Sequence, residues 1–96
     1  MYASIRKGAV NSESNIAEVV RAIETGAFPI LRGIAGFESA YIVRGDNDTF
    51  VAISIFADRA AAEASNQLIL DWLRQNLGPM LAGPPEVMVG QVMLKA

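Results

Sequence analysis

Apolar positions along this chain switch between two periods, and the switches mark its elements. Tyr2–Val10 carries a β-branched or aromatic residue every few positions and predicts a first strand. Asn11 to Asn15 is a polar break of the kind that turns and then caps a helix. Asn15 with Glu18 three residues on has the spacing of a capping box, and Ser12 or Ser14 could serve instead. Ile16, Val19, Val20, Ile23 and Ala27 then recur at helical spacing, with Glu18, Arg21 and Glu24 on other faces. Pro29 cannot donate a backbone N–H, so Phe28-Pro29 either ends the helix or begins a short second turn through Arg32, and the apolar run resumed by Pro29-Ile30-Leu31 favours the second turn. Gly33 and Gly36 release the chain into a second strand, Phe37–Arg44. Gly45 to Asp48 then predicts a hairpin connection, because Gly, Asn and Asp tolerate the positive φ such turns need.

The third strand, Thr49–Phe56, is apolar on both faces: Val51, Ile53 and Ile55 on one, Phe50, Ala52 and Phe56 on the other. Antiparallel sheets usually leave one face wet. Two dry faces predict helices over one side and a second subunit over the other. Asp58 opens a helix that runs to about Leu77. Its predicted core stripe is Ala57, Ala61, Ala64, Leu68 and Trp72, with Leu70, Leu73 and Leu77 as a second ridge and a candidate contact surface. Glu63, Gln67, Asp71 and Arg74 are assigned to the wet side. Gly78-Pro79 ends the helix, Gly83-Pro84-Pro85 makes a stiff exit, and Glu86–Leu94 reads as the last strand. The order β-α-β-β-α-β predicts an α+β, ferredoxin-like domain spanning residues 1–96, with a four-stranded antiparallel sheet.

Composition sharpens the expectation of a partner. The chain has 96 residues, 52% hydrophobic and 19% charged, and so small a body has too little interior to hide that much apolar surface. A homodimer is expected. A net charge of −2 with no basic run speaks against nucleic acid. The absence of His and Cys removes the usual ligands of zinc, copper and haem, so no metal or cofactor is expected. No apolar run approaches the roughly 20 residues of a membrane span, and the first ten residues lack an apolar signal core, so a cytoplasmic protein is the expectation.

The strand pattern, the Gly36-Phe37 lead into strand two, and Phe56-Ala57-Asp58-Arg59-Ala60-Ala61-Ala62-Glu63, an aromatic closing strand three before an Ala- and Glu-rich helix, together resemble the dimeric α/β-barrel superfamily. Within it, the chain is most similar to the antibiotic-biosynthesis-monooxygenase-like proteins. The resemblance implies a homodimer whose sheets pack face to face into a barrel, with a ligand pocket between each sheet and its own helices. Its haem-degrading members use an Asn on strand one, a Trp ending strand three and a His on helix two. Those positions fall here at Arg6 or Lys7, at Phe56, and at Ser65 or Asn66. No imidazole is present, so that chemistry is excluded. The cofactor-free quinone-forming members use Asn, Trp and Arg around the phenol; here their strand-three Asn would fall at Ala52 and their Trp again at Phe56.

The candidate pocket residues are Tyr41, Ser54, Phe56, Ser65, Asn66 and Trp72. Trp72 could stack on a planar ligand or simply fill core. Tyr41 could donate a hydrogen bond to a phenolic substrate or stand in a strand with its hydroxyl at the sheet edge. Ser65, nearer the predicted core stripe, and Asn66, away from it, could orient a ligand or face water. Arg6 and Lys7 alternate faces, and whichever is buried needs a partner, for which Glu38 or Glu86 is available. The expected function is binding of a small apolar or aromatic metabolite. The alternative is a cofactor-independent monooxygenase or isomerase acting on a phenolic or polycyclic compound.

Overall fold

The computed structural model describes residues 1–11 and 15–96. Ser12 and Ser14, the alternative caps, lie outside them, and Asn15 caps the first helix, its Oδ1 accepting from Ala17 N–H at 2.8 Å. The elements are β1 (Tyr2–Ala9), α1 (Ile16–Ala22), a π-helical turn (Ile23–Ala27), α2 (Phe28–Arg32), β2 (Phe37–Arg44), β3 (Thr49–Phe56), α3 (Arg59–Leu77), a 3-10 turn (Gly78–Met80) and β4 (Glu86–Gln91). They form a four-stranded antiparallel sheet in the order β2-β3-β1-β4. This is the ferredoxin-like arrangement that the alternation of periods predicts.

The β2–β3 hairpin turns on two consecutive left-handed residues, Asn47 (φ 56°) and Asp48 (φ 59°). Asn and Asp adopt that region at lower cost than other side chains. Gly36 (φ 91°) brings the chain into β2, and its carbonyl accepts from Ala57 N–H at 2.8 Å, tying the start of β2 to the end of β3. A bulge between Phe37 and Ser39 follows, so Phe37 and Phe56 meet edge to face with ring centroids 5.8 Å apart.

The short second turn expected through Arg32 is present as α2. The helix continues, but it widens by one turn: Phe28 N–H bonds back to Ile23 O, five residues away. A π-turn inserts an extra residue, and Pro29 then sits in the first turn of α2, where its missing N–H costs least. The same turn holds Gly26 against α3, where a Cβ would stand 2.3 Å from Trp72 Cζ2. The bare glycine backbone is the seat of the indole.

The buried stripe of α3 differs from the predicted one. Ala61, Ala62, Ser65, Asn66, Ile69, Leu73 and Leu77 face the sheet, while Ala64 is exposed, Leu68 is 47% exposed and Trp72 is half-buried. Leu73 and Leu77 are therefore core rather than a contact ridge, and Ala57 precedes the helix, whose N-cap is Asp58. Ser65, expected nearer the core stripe, is buried, and Asn66, expected away from it, is buried too, because the sheet beneath them is itself polar at that point. The last strand also ends earlier than expected, at Gln91, and Met93 and Leu94 are 78% and 93% exposed.

Candidate binding site between sheet and helices

Alternation in β1 sends Tyr2, Ser4, Arg6 and Gly8 toward the helices and Ala3, Ile5, Lys7 and Ala9 away. The β1–β3 register sets Ser4 opposite Ser54 and Arg6 opposite Ala52. Docking of α3 then lowers Asn66 onto that patch. The result is a buried polar cluster in the middle of an apolar core. Arg6 is 1% exposed, and Ser4 and Ser54 are 0% and 1% exposed.

Arg6 Nη1 donates to Ser4 Oγ and to Asn66 Oδ1, each at 2.8 Å, and Nη2 donates to Ser54 Oγ at 2.7 Å. Ser4 Oγ–H in turn donates to Asn66 Oδ1 at 2.5 Å. The carbonyl end of the Asn66 amide thus faces the cation, an orientation set by the network. Arg6 Nε is buried without a partner. Glu38 and Glu86, the counter-charges considered from sequence, are both exposed, and no carboxylate among the described residues pairs with Arg6. The strand edges that carry those glutamates lie away from the centre of the sheet, so the guanidinium is solvated by neutral oxygens instead. Burial pulls its pKa down to about 10, which still leaves it cationic at neutral pH.

Beside the cluster lies a cavity of about 20 Å³, with Arg6 and Ser54 at its polar end and Phe28, Leu31, Phe50 and Ile69 among its apolar walls. That volume admits a water-sized group. Leu73 and Pro85 separate it from a 500 Å³ groove that also borders Leu70, Leu81 and Pro84. Phe28 and Ala40 separate it from a 270 Å³ cleft at the β2 edge.

The structure brings together some of the residues expected at a pocket and separates others. Ser54 and Asn66 meet at Arg6. Ser65 is fully buried next to them, but its hydroxyl donates to Ala62 O at 2.7 Å within its own helix. Phe56 is fully buried against Phe37, off the cavity. Trp72 lies over Gly26, also off the cavity. Tyr41 borders the cavity, yet it is 56% exposed: it pairs with Ile53, and strand alternation turns its side chain to the sheet face away from the helices. Ser4 was not singled out from sequence. Its signal was its spacing: Ser4 and Arg6 are two apart on one strand, as Ser54 and Phe56 are on the strand beside it.

No cluster of three or more potential metal-ligating His, Cys, Asp or Glu side chains occurs among the described residues, and no helix among them is long and apolar enough to cross a membrane. This four-stranded antiparallel sheet with its helices is similar in fold to solved structures of antibiotic biosynthesis monooxygenases. The chain matches no family model and no curated protein sequence. Among solved structures it is similar to a protein of unknown function from Nitrosomonas europaea, with TM-score 0.82 and 19% identity over 99% of this chain and 91% of that one. It is also similar to the cofactor-independent oxygenase SnoaB of Streptomyces nogalater, with TM-score 0.76 and 15% identity over 98% and 94% of the two chains. The monooxygenase ActVA-Orf6 of Streptomyces coelicolor, in complex with nanaomycin D, aligns with TM-score 0.70 and 19% identity over 99% and 92%.

Proposed function

We propose that this protein is a homodimer that binds a small apolar or aromatic molecule between each sheet and its helices. The observation that carries the reading is an apolar-walled cavity with one buried polar cluster at its end, the usual composition of a small-molecule site. A ring is larger than the cavity, so the apolar walls must move to admit it. The similarity in fold to a monooxygenase in complex with nanaomycin D supports a small-molecule occupant. The dimer is supported by the far face of the sheet, where Ile5, Val51, Ile53, Ile55, Tyr41 and Met88 make a continuous apolar surface that no helix covers.

The buried cation supports a second reading, cofactor-independent oxygenation, in which it would stabilise a substrate anion. A phenol and dioxygen give a quinone and water, a balance that needs no other reductant. Yet Ser4, Ser54, Asn66 and Arg6 include no group that could act as a base near neutral pH. The substrate would have to ionise by its own acidity. Binding is therefore the better-supported function. Native mass spectrometry of freshly purified protein tests it: the expected species is twice the chain mass carrying a small-molecule adduct. A monomer would overturn the dimer. A bare dimer that also takes up no compound from a panel of naphthalene derivatives would overturn the ligand reading, and oxygen consumption with an added naphthol would favour the enzyme.

A further inference from the structure

We infer that Arg6 is an anion receptor, and that the molecule bound here carries an oxyanion, a carboxylate or an ionised enol, on its apolar body. The inference rests on the pocket proposed above and adds the charge of its occupant. A guanidinium withdrawn from water is costly unless a counter-charge accompanies it, and in a fold built only for stability an apolar side chain would serve better. Here the cation is kept, 1% exposed, at the centre of the core. Its partners are three neutral oxygens, from Ser4, Ser54 and Asn66, reached from two strands and a helix.

Those partners orient the group without neutralising it. A guanidinium has five N–H donors in a fixed plane, and three hydrogen bonds leave Nε without a partner. The cavity is bounded by this same side chain and Ser54, and its other walls are apolar. An anionic oxygen placed there would accept from a donor already held in position, with no competing carboxylate among the described residues. Charge-assisted bonds of this kind are about twice as strong as neutral ones. The net charge of −2 belongs to carboxylates elsewhere on the chain, among them Glu38 and Glu86, which stay at the surface.

The test compares 1-naphthoate with its neutral isostere 1-naphthamide by calorimetric titration at pH 7. The wild-type protein is expected to prefer the carboxylate by roughly 30-fold, the range set by hydrogen bonds to a charged group. Repeating it with 2-hydroxy-1,4-naphthoquinone against 1,4-naphthoquinone asks whether an ionised enol serves as well as a carboxylate. In Arg6→Met the preference is expected to fall to within about threefold while the amide still binds. Asn66→Asp serves if Arg6→Met fails to fold: it places a carboxylate against the guanidinium with almost no change of shape. It is expected to fold and to lose the preference. Equal affinity of wild type for both members of each pair, or a preference that survives both substitutions, would overturn the anion receptor and leave the pocket intact. Binding of none of the four compounds would overturn the pocket and the receptor together.

Discussion

The two faces of the sheet invert the usual arrangement. On the covered face, the centre of β1 and β3 is polar, with Ser4, Arg6 and Ser54 at most 1% exposed. On the uncovered face, the same strands present Ile5, Ile53 and Ile55, all only partly buried. A domain shaped only by its own stability would have them the other way round. The contrast is what the proposed dimer and the proposed ligand would each account for. Apolar groups left toward solvent fit a second subunit, and a cation taken out of solvent fits a ligand.

The contrast can be broken most severely from the uncovered side. Ile53→Lys puts a charge at its centre, beside Ile5 and Tyr41 in neighbouring strands. If two sheets pack there, the unpaired charge costs roughly 3–5 kcal/mol and the dimer is expected to dissociate. Light scattering behind a sizing column reads the outcome, and an unchanged assembly would show that this face is not the contact.

On the covered side the effects are smaller. Asn66→Ala removes the acceptor shared by Ser4 and Arg6 and is expected to cost about 1.5–3 kcal/mol, the worth of bonds to a charged group. Ser54→Ala removes a single acceptor of Arg6 and is expected at the low end of that range. Urea unfolding should show lower midpoints with unchanged slope. If neither midpoint moves, the polar cluster contributes nothing to holding α3 on the sheet.

The mildest perturbation is pH. Arg6 is a cation whose pKa is lowered to about 10, so its charge is complete at neutral pH and is lost as pH rises through that value. Its hydrogen-bonding neighbours Ser4, Ser54 and Asn66 carry no carboxylate, imidazole or amine that could titrate in its place. Affinity for 1-naphthoate is therefore expected to stay level from neutral pH into the mildly alkaline range and to decline beyond pH 10, while affinity for the amide does not change at that point. A carboxylate affinity that falls from neutral pH upward would assign recognition to some other group.

Much of the fold was legible because its causes are local. Strand alternation, the Asn47-Asp48 turn, the Asp58 cap and the Gly78-Pro79 end of the long helix each act over a few residues, and the structure contains all of them. The site was legible only in pieces. Ser54 and Asn66 stood out as polar residues in apolar elements, but nothing nearby in the chain says that they converge. The helix wheel assigned Asn66 to the far side of α3 because amphipathic patterning assumes an apolar core, and this core is polar at its centre. The π-turn at Ile23–Ala27 was hidden for a related reason: it accommodates Trp72 of a distant helix as well as Pro29 next door.

By itself, then, the sequence determined the elements, their order and the presence of more apolar surface than one chain can bury. Local sterics, capping and the period of hydropathy act before any tertiary contact forms. Which stripe of α3 faces inward, and which oxygens solvate Arg6, were decided only in three dimensions. The Ser54 and Asn66 contacts join residues 48 and 60 positions apart. They exist because the β1–β3 register and the seating of α3 superimpose three elements on one point, and the cost of burying a charge then selects the helix face that can hydrogen-bond to it.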